Sequence, residues 1–349
     1  MTARISSPSL GAASYQQPGT WTAAVSHRWQ YSDRHFVGDQ EQVYREKEGS
    51  QAINDIQLID LSVGYAVTKR ISANLSIPFQ FATRSQAVRD TRRVGGVLVN
   101  PSHYPAPDGT VNGAVIDRFT TEANGLSDIR LLGTFWLFDP DHNKKQNVSV
   151  GLGVVLPTGE KDAKDKFKIF AANSAGSYEP RSETRNVDNS IQPGSGAWGI
   201  IFDIYGFREL ATNLTVFAAG TYISTPQEDA GVISGNLKTS TTVWSVADSY
   251  LFRAGFGWKF LPQYGLSLTL GGRMEGTPST DIIGRSGGRR RPGFGISIEP
   301  GLVWSKNRWT ASFSAPVALY RNRERNFQGQ EGDAAFADFI TLFSLGRTF

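Results

Sequence analysis

Residues 59–81 read IDLSVGYAVTKRISANLSIPFQF. In an extended chain Ile59, Leu61, Val63, Tyr65 and Val67 share one face, and Asp60, Ser62 and Gly64 share the other. That period of two belongs to a strand rather than a helix. The pattern breaks at Thr68-Lys69-Arg70 and resumes as Ile71, Ala73, Leu75, Ile77, Phe79 and Phe81 against Ser72, Asn74, Ser76 and Gln80. Two strands, each with a greasy side and a small or polar side, are joined by a very short turn, which is a hairpin.

The alternation extends both ways. Upstream, Trp21, Ala23, Val25, Trp29 and Tyr31 oppose Thr22, Ser26, Arg28 and Gln30. Downstream the pattern predicts strand pairs at 126–138 with 148–156, 198–207 with 214–223, 246–260 with 266–274 and 294–304 with 309–319, and 336–349 as the last strand. The total is about twelve, the even parity of a single-chain outer-membrane barrel. Every second connection is a tight turn, and the others are long polar stretches such as 32–55, 83–124 and 158–196. A barrel with short periplasmic turns and long extracellular loops shows that alternation; a soluble sandwich has no reason to. Aromatics gather at strand ends, with Trp21, Tyr65, Phe260, Tyr264, Trp304 and Trp309 by the short turns. Tyr31, Phe81, Trp198, Tyr222, Phe294 and Tyr320 lie by the long loops, as two interfacial girdles would require. The fold class expected is all-β: a transmembrane, antiparallel, up-and-down β-barrel.

Composition agrees. The 349 residues hold 37 Gly, 8 Trp, 11 Tyr and 21 Phe, a mixture of strand formers and turn punctuation. No run approaches the roughly 18 apolar residues of a spanning helix, so helical transporters are excluded. With no cysteine and four scattered histidines, disulfide scaffolds and thiolate metal sites fall away, and neither a metal nor a cofactor is expected. A net charge of +4 is too slight to imply nucleic-acid binding. Residues 1–11 lack the apolar core of a secretory leader, so the chain is expected to start near a mature N terminus, the leader having been removed. Residues 1–18 are read as a polar segment, either a flexible periplasmic tail or a plug, and 19–349 as one barrel domain in the bacterial outer membrane.

Three stretches carry a family resemblance: GLSDIRLLGTFWLF from Gly125, VSVGLGVVLPTGEKD from Val148 and QPGSGAWGIIFDIY from Gln192. In this order they resemble the outer-membrane transporter family named for the meta-pathway of phenol degradation. The resemblance covers most of the chain and implies a barrel that takes up small hydrophobic or aromatic compounds. The arginine-rich loops depart from that pattern. On physical grounds Gly151 and Gly153 fall on the inward face, where missing side chains make room in a narrow lumen.

The inward phase assigns Arg28, Asp60, Asp128, Arg130, Asp203, Arg253, Lys259, Arg273, Glu275, Glu299 and Asp338 to the lumen. Such a set reads either as a charge ladder that selects a polar solute, or as an ion-pair network that fills and stiffens a small barrel. The loop GRSGGRRRPG supplies Arg285, Arg289, Arg290 and Arg291, and Arg321, Arg323 and Arg325 follow in the next long loop. These would form an extracellular basic rim that grips lipopolysaccharide phosphates or attracts an anionic solute, or else lie on solvated loops. Residues 161–168 alternate acids and bases and read as a short helical or solvated loop piece. His27 faces away from Ser26, and His35, His103 and His142 fall in loops or turns, so no general base activates a serine and no catalytic residue is assigned. The partners expected are outer-membrane lipids, lipopolysaccharide and a small solute, with an envelope protein as a further partner if the barrel is instead a closed docking element. The outward faces show no obvious polar seam.

Overall fold

The computed structural model describes residues 15–227, 229–233 and 243–349. Twelve antiparallel strands form the wall: β1 (Trp21–Val37), β2 (Ile53–Ala66), β3 (Ile71–Arg89), β4 in two pieces (Val115–Leu126 and Ile129–Trp136), β5 (Gln146–Leu156) and β6 (Gly199–Ala211). They continue as β7 (Leu214–Ser224), β8 (Ser249–Leu261), β9 (Leu266–Thr277), β10 (Gly293–Lys306), β11 in two pieces (Trp309–Ser314 and Val317–Asn322) and β12 (Ala334–Thr348). Each strand pairs with its neighbours in sequence, and β12 pairs with β1 from Thr22↔Thr348 to Phe36↔Ala334, closing the sheet. Ser26 Oγ donates to Ser344 Oγ across that seam at 3.0 Å, bridging a sequence separation of 318 residues.

Which side faces out follows from exposure. Leu152 is 62% exposed, Phe256 54%, Ile204 51% and Leu270 51%, while Arg28, Asp60, Arg253, Arg273 and Glu299 are buried. In water this distribution would be inverted, since exposed leucines lose the hydrophobic gain and buried ions lose hydration. With hydrocarbon outside and a polar lumen inside, both placements become favourable. Trp21, Tyr264 and Trp309 are exposed near the short turns, and Tyr31, Phe81, Trp198 and Tyr320 near the long loops. A small polar patch lies on the outer face: His27 Nε2 meets Gln57 Oε1 at 3.3 Å, and the Trp29 indole donates to Asp55 at 2.9 Å.

The wall reaches further into the predicted loops than alternation alone suggests. β3 runs to Arg89 and β4 begins at Val115, so most of the ends of the expected 83–124 loop are strand. Residues 161–168, read as a helical or solvated piece, instead lead into a strand Lys164–Ala172 paired with Tyr178–Asn186. Both split strands break beside proline, which offers no ladder donor. Between Ser76↔Arg130 and Phe79↔Leu126, β4 holds one residue more than β3, a bulge at which Ser127 N–H bonds the Pro78 carbonyl at 2.7 Å. In β11 the interruption falls at Ala315-Pro316, so the expected continuous strand 309–319 is two.

Candidate functional site

Halfway along the lumen the inward charges interlock. Arg253 on β8 donates through Nε and Nη2 to both oxygens of Glu299 on β10, each at 2.8 Å, and Ser314 Oγ donates to the same carboxylate at 2.9 Å. On the intervening β9, Gly271 is the residue opposite Glu299 and adds no side chain beside the carboxylate, while Arg273 is opposite Arg253. Arg273 lies 3.9 Å from Glu299 and 2.5 Å from Glu275, and Glu275 reaches across the lumen to Arg28 on β1 at 2.8 Å. On the other side Ser76 Oγ donates to Asp60 at 2.7 Å, and Arg130 lies in the field of Asp60 and Asp128. The bidentate geometry and the low dielectric make this a strong belt, and one that fills cross-section.

Toward the short turns the lumen is aromatic. Trp136, Tyr205 and Phe207 face inward, and Tyr15 of the N-terminal segment packs edge-on against Trp136 with centroids 5.1 Å apart. Tyr15 Oη donates to the Asn143 carbonyl at 2.5 Å and accepts from Asn147 Nδ2 at 3.0 Å. Tyr15 is thus tied to the barrel mouth; residues 1–14 lie outside the described residues.

Toward the long loops the belt opens into a cavity of about 250 Å³. Arg28, Asp128 and Arg130 line it beside Gln30, Ser32, Asn54, Gln80 and Arg84 from the strands. Ile56, Leu58, Val155 and Ile223 give it an apolar side, the last two belonging to a buried cluster with Ile201 and Leu251. Loops supply the roof, including Asn189, Ser190, Ser195, Ala247, Arg290, Arg291 and Asp333.

The three stretches that carry the family resemblance meet here. Asp128, at the β4 bulge, accepts the backbone N–H of Gly159 at 3.1 Å and of Ser195 at 2.8 Å. Ser127 Oγ donates to the Pro193 carbonyl at 2.5 Å, Thr158 Oγ1 donates to the Ser127 carbonyl at 3.0 Å, and Gln80 Nε2 donates to the carbonyls of Ile191 and Gln192. Gly159 and Gly194 pass so closely that a Cβ on either would overlap the other's backbone. Ala163, Val187 and Ile191 then pack on Ala82 and Ala123 of the wall. Apolar burial and satisfied backbone groups hold the two ends of the 157–198 connection, chiefly residues 187–198, inside the mouth, while its hairpin stands largely exposed.

The expected basic rim divides. Arg285 and Arg325 are exposed at the rim, and Arg325 pairs with Glu331. Arg290 instead is 3% exposed and pairs with Asp281 at 2.7 Å, while Arg291 grips Asp188 through both Nη atoms at 2.8 and 2.9 Å. Arg289 is half-buried, and Arg321 and Arg323 are buried, the latter against the carbonyls of Pro292 and Glu324. Their loops fold inward because acceptors wait there. Among the lumen candidates, Asp203 faces inward and accepts from Thr221 Oγ1 at 2.7 Å. Lys259 keeps the inward phase but sits exposed by the short turns. Asp338 leaves the lumen: β12 is irregular between Ile340 and Ala337, the phase shifts, and the carboxylate, 56% exposed, binds Arg34 and Arg321.

Sequence reasoning missed Arg84, His35, Asp188 and Asp333. Arg84 continues the inward phase of Gln80 and Ala82, a signal available once β3 is extended past Phe81. His35 contacts Asp333 through Nδ1 at 2.9 Å, and Arg45 reaches the same carboxylate at 2.9 Å. Burial pushes the Asp333 carboxyl up, but the His35 hydrogen bond and the nearby Arg45 and Arg291 hold it well below the usual range. Asp188 is likewise buried, and Arg291 and Arg84 hold it well below that range.

An outer-membrane channel from Pseudomonas putida F1 superimposes with a TM-score of 0.59 at 11% identity, covering 98% of this chain and 100% of that one. The wall is an outer-membrane barrel fold. The CymD monoaromatic hydrocarbon channel matches with a TM-score of 0.46 at 12% identity, covering 96% and 89% of the two chains. No family model matches the sequence, and no curated protein matches it.

Proposed function

We propose that this protein is an outer-membrane channel that takes a small solute from the long-loop side into the barrel. Hydrophobic or aromatic compounds, the class named for the CymD channel, are the first candidates. The observation that carries the reading is the cavity between the ion-pair belt and the roof, because a barrel serving only as a scaffold has no need of a lined chamber. At about 250 Å³ it falls below the roughly 300–1,000 Å³ of drug-sized sites, which favours small solutes. In this reading residues 19–349 work as one unit, lipids and lipopolysaccharide surround it, and transport rather than catalysis is the activity. Arg285 and Arg325 are the rim cations best placed for lipopolysaccharide phosphates.

The belt and the Tyr15 cluster narrow the path below the cavity, which favours a gated passage over an open pore. The same filling supports a second reading, a closed barrel that docks a surface partner. Planar-bilayer conductance and liposome swelling with small aromatic solutes separate the two: solute-dependent swelling supports the channel, and a sealed barrel with no solute entry rejects it.

A further inference from the structure

Arginines outnumber carboxylates in the lining of the cavity. Five arginines line the chamber (Arg28, Arg84, Arg130, Arg290 and Arg291) against two carboxylates, Asp128 and Asp333. Arg28 has an acidic partner in Glu275 of the belt, Arg290 has one in Asp281 of its own loop, and Arg130 lies in the field of Asp60 and Asp128. Arg84 and Arg291, in contrast, share one. Arg291 occupies both oxygens of Asp188, which leaves Arg84 at 3.8 Å from it, beyond a direct hydrogen bond. The other contacts of Arg84 are neutral: Asn54 Oδ1 at 2.7 Å and Ser190 Oγ at 3.4 Å. Its Nε is buried, and no acceptor among the described residues reaches it. That Nε is sealed from the chamber, so a ligand would meet Arg84 through the part of its guanidinium that lines the cavity, where a carboxylate supplies the charge its neutral contacts lack. Ile56 and Leu58, inward on β2 beside Asn54, continue the chamber below Arg84, with Val155 and Ile223 completing its apolar side.

We propose that the cavity binds a small amphipathic carboxylate. The anionic end lies against Arg84 beside Asn54 and Ser190, and the apolar end lies against Ile56, Leu58, Val155 and Ile223. This rests on the channel reading and narrows its solute class: an arginine-lined chamber favours an organic acid over the neutral hydrocarbon of the same shape. Against such a lining a neutral solute desolvates Arg84 with nothing in return.

The test uses the full chain, refolded in detergent, with benzoate, benzyl alcohol and inorganic phosphate as probes in calorimetric titrations. Benzoate should bind about tenfold or more tightly than benzyl alcohol, the worth of one charge-assisted hydrogen bond. The exchange R84Q should remove that preference, bringing benzoate to the affinity of benzyl alcohol, and R325Q at the exposed rim should leave the preference intact. Equal affinity for benzoate and benzyl alcohol overturns the proposal on the unaltered protein, whether or not R84Q folds. Phosphate binding as well as benzoate overturns the apolar half of the assignment. If benzyl alcohol binds and swells liposomes while benzoate does not, the anion inference fails and the channel reading stands. If benzoate binds but no solute ever crosses, the channel reading fails alone.

Discussion

The carboxylate of Asp128 accepts the backbone N–H of Ser195 at 2.8 Å, across 67 residues of sequence, and so ties the β4 bulge to the connection that roofs the chamber. One side chain at an irregular point of the wall therefore sets how far the mouth is covered. Its second oxygen repeats the contact with Gly159, so the two ends of that connection are held by one group.

Asp128→Ala should release this connection. The loss of two charge-assisted acceptors corresponds to about 1.5–3 kcal/mol each at most, but because the barrel wall is untouched, strand content should be unchanged. Trypsin should then cut at Lys164, Lys166 or Lys168 faster than in the parent protein, and single-channel conductance should rise. Unchanged proteolysis would mean that apolar packing of Ala163, Val187 and Ile191 holds the roof by itself.

Removing one partner of the Arg253–Glu299 pair leaves a buried charge. Glu299→Gln is expected to lower unfolding stability by about 3–5 kcal/mol, whereas the double exchange of Arg253 to Met and Glu299 to Leu should recover most of it. Urea midpoints of the refolded barrel in detergent check both. A single variant as stable as the parent would show that water reaches the belt.

Leu152→Arg places a cation on the most exposed part of the outer face of β5. A midplane arginine costs about 2–4 kcal/mol in lipid, so refolding into bilayers should suffer while solubility in water rises. The same exchange would be nearly neutral were that face in water. Refolding yield into vesicles therefore reports directly on what surrounds the wall.

Acid should loosen the first long loop. Its helix, Val43–Glu48, ends on a carboxylate that Arg89 of β3 holds through both Nη atoms at 2.8 and 2.6 Å. Burial pushes the Glu48 carboxyl up, but Arg89 and Ser102 outweigh it and bring it down to about 2 from 4.5. A folded-state value below the unfolded one stabilises above about 4.5, and the contribution is lost as pH falls toward about 2. Hydrogen exchange across residues 43–50 should accelerate over that window and stay flat between pH 5 and 7.

Much of the wall was legible because lipid enforces alternation: Leu152, Val154 and Leu156 have to face one way, and Gly151 and Gly153 the other. The roof was less so. Arg290 and Arg291 read as part of an extracellular basic rim, anion-gripping or solvated, because nothing in the sequence marks Asp281 and Asp188 as their partners, the latter 103 residues away. Asp338 was misplaced because a bulge shifts the phase without any Gly or Pro to announce it. Arg84 lay past the point where the greasy face fades, since above the membrane the outer side of β3 carries Thr83 and Ser85 and loses its contrast. The motifs around Asp128 were visible as words, but their meaning is three-dimensional: they knot a loop into a mouth.

The seam between β1 and β12 has a consequence for biogenesis. Until residues 334–348 have been synthesised and paired with 21–36, every intermediate is an open ribbon with two unsatisfied edges and a greasy flank. Loop closure over so long a chain is slow, and such ribbons aggregate in the meantime. Loss of the last strand alone is therefore expected to leave the chain unable to close and prone to aggregate, which refolding yield of a chain ending at residue 333 would report.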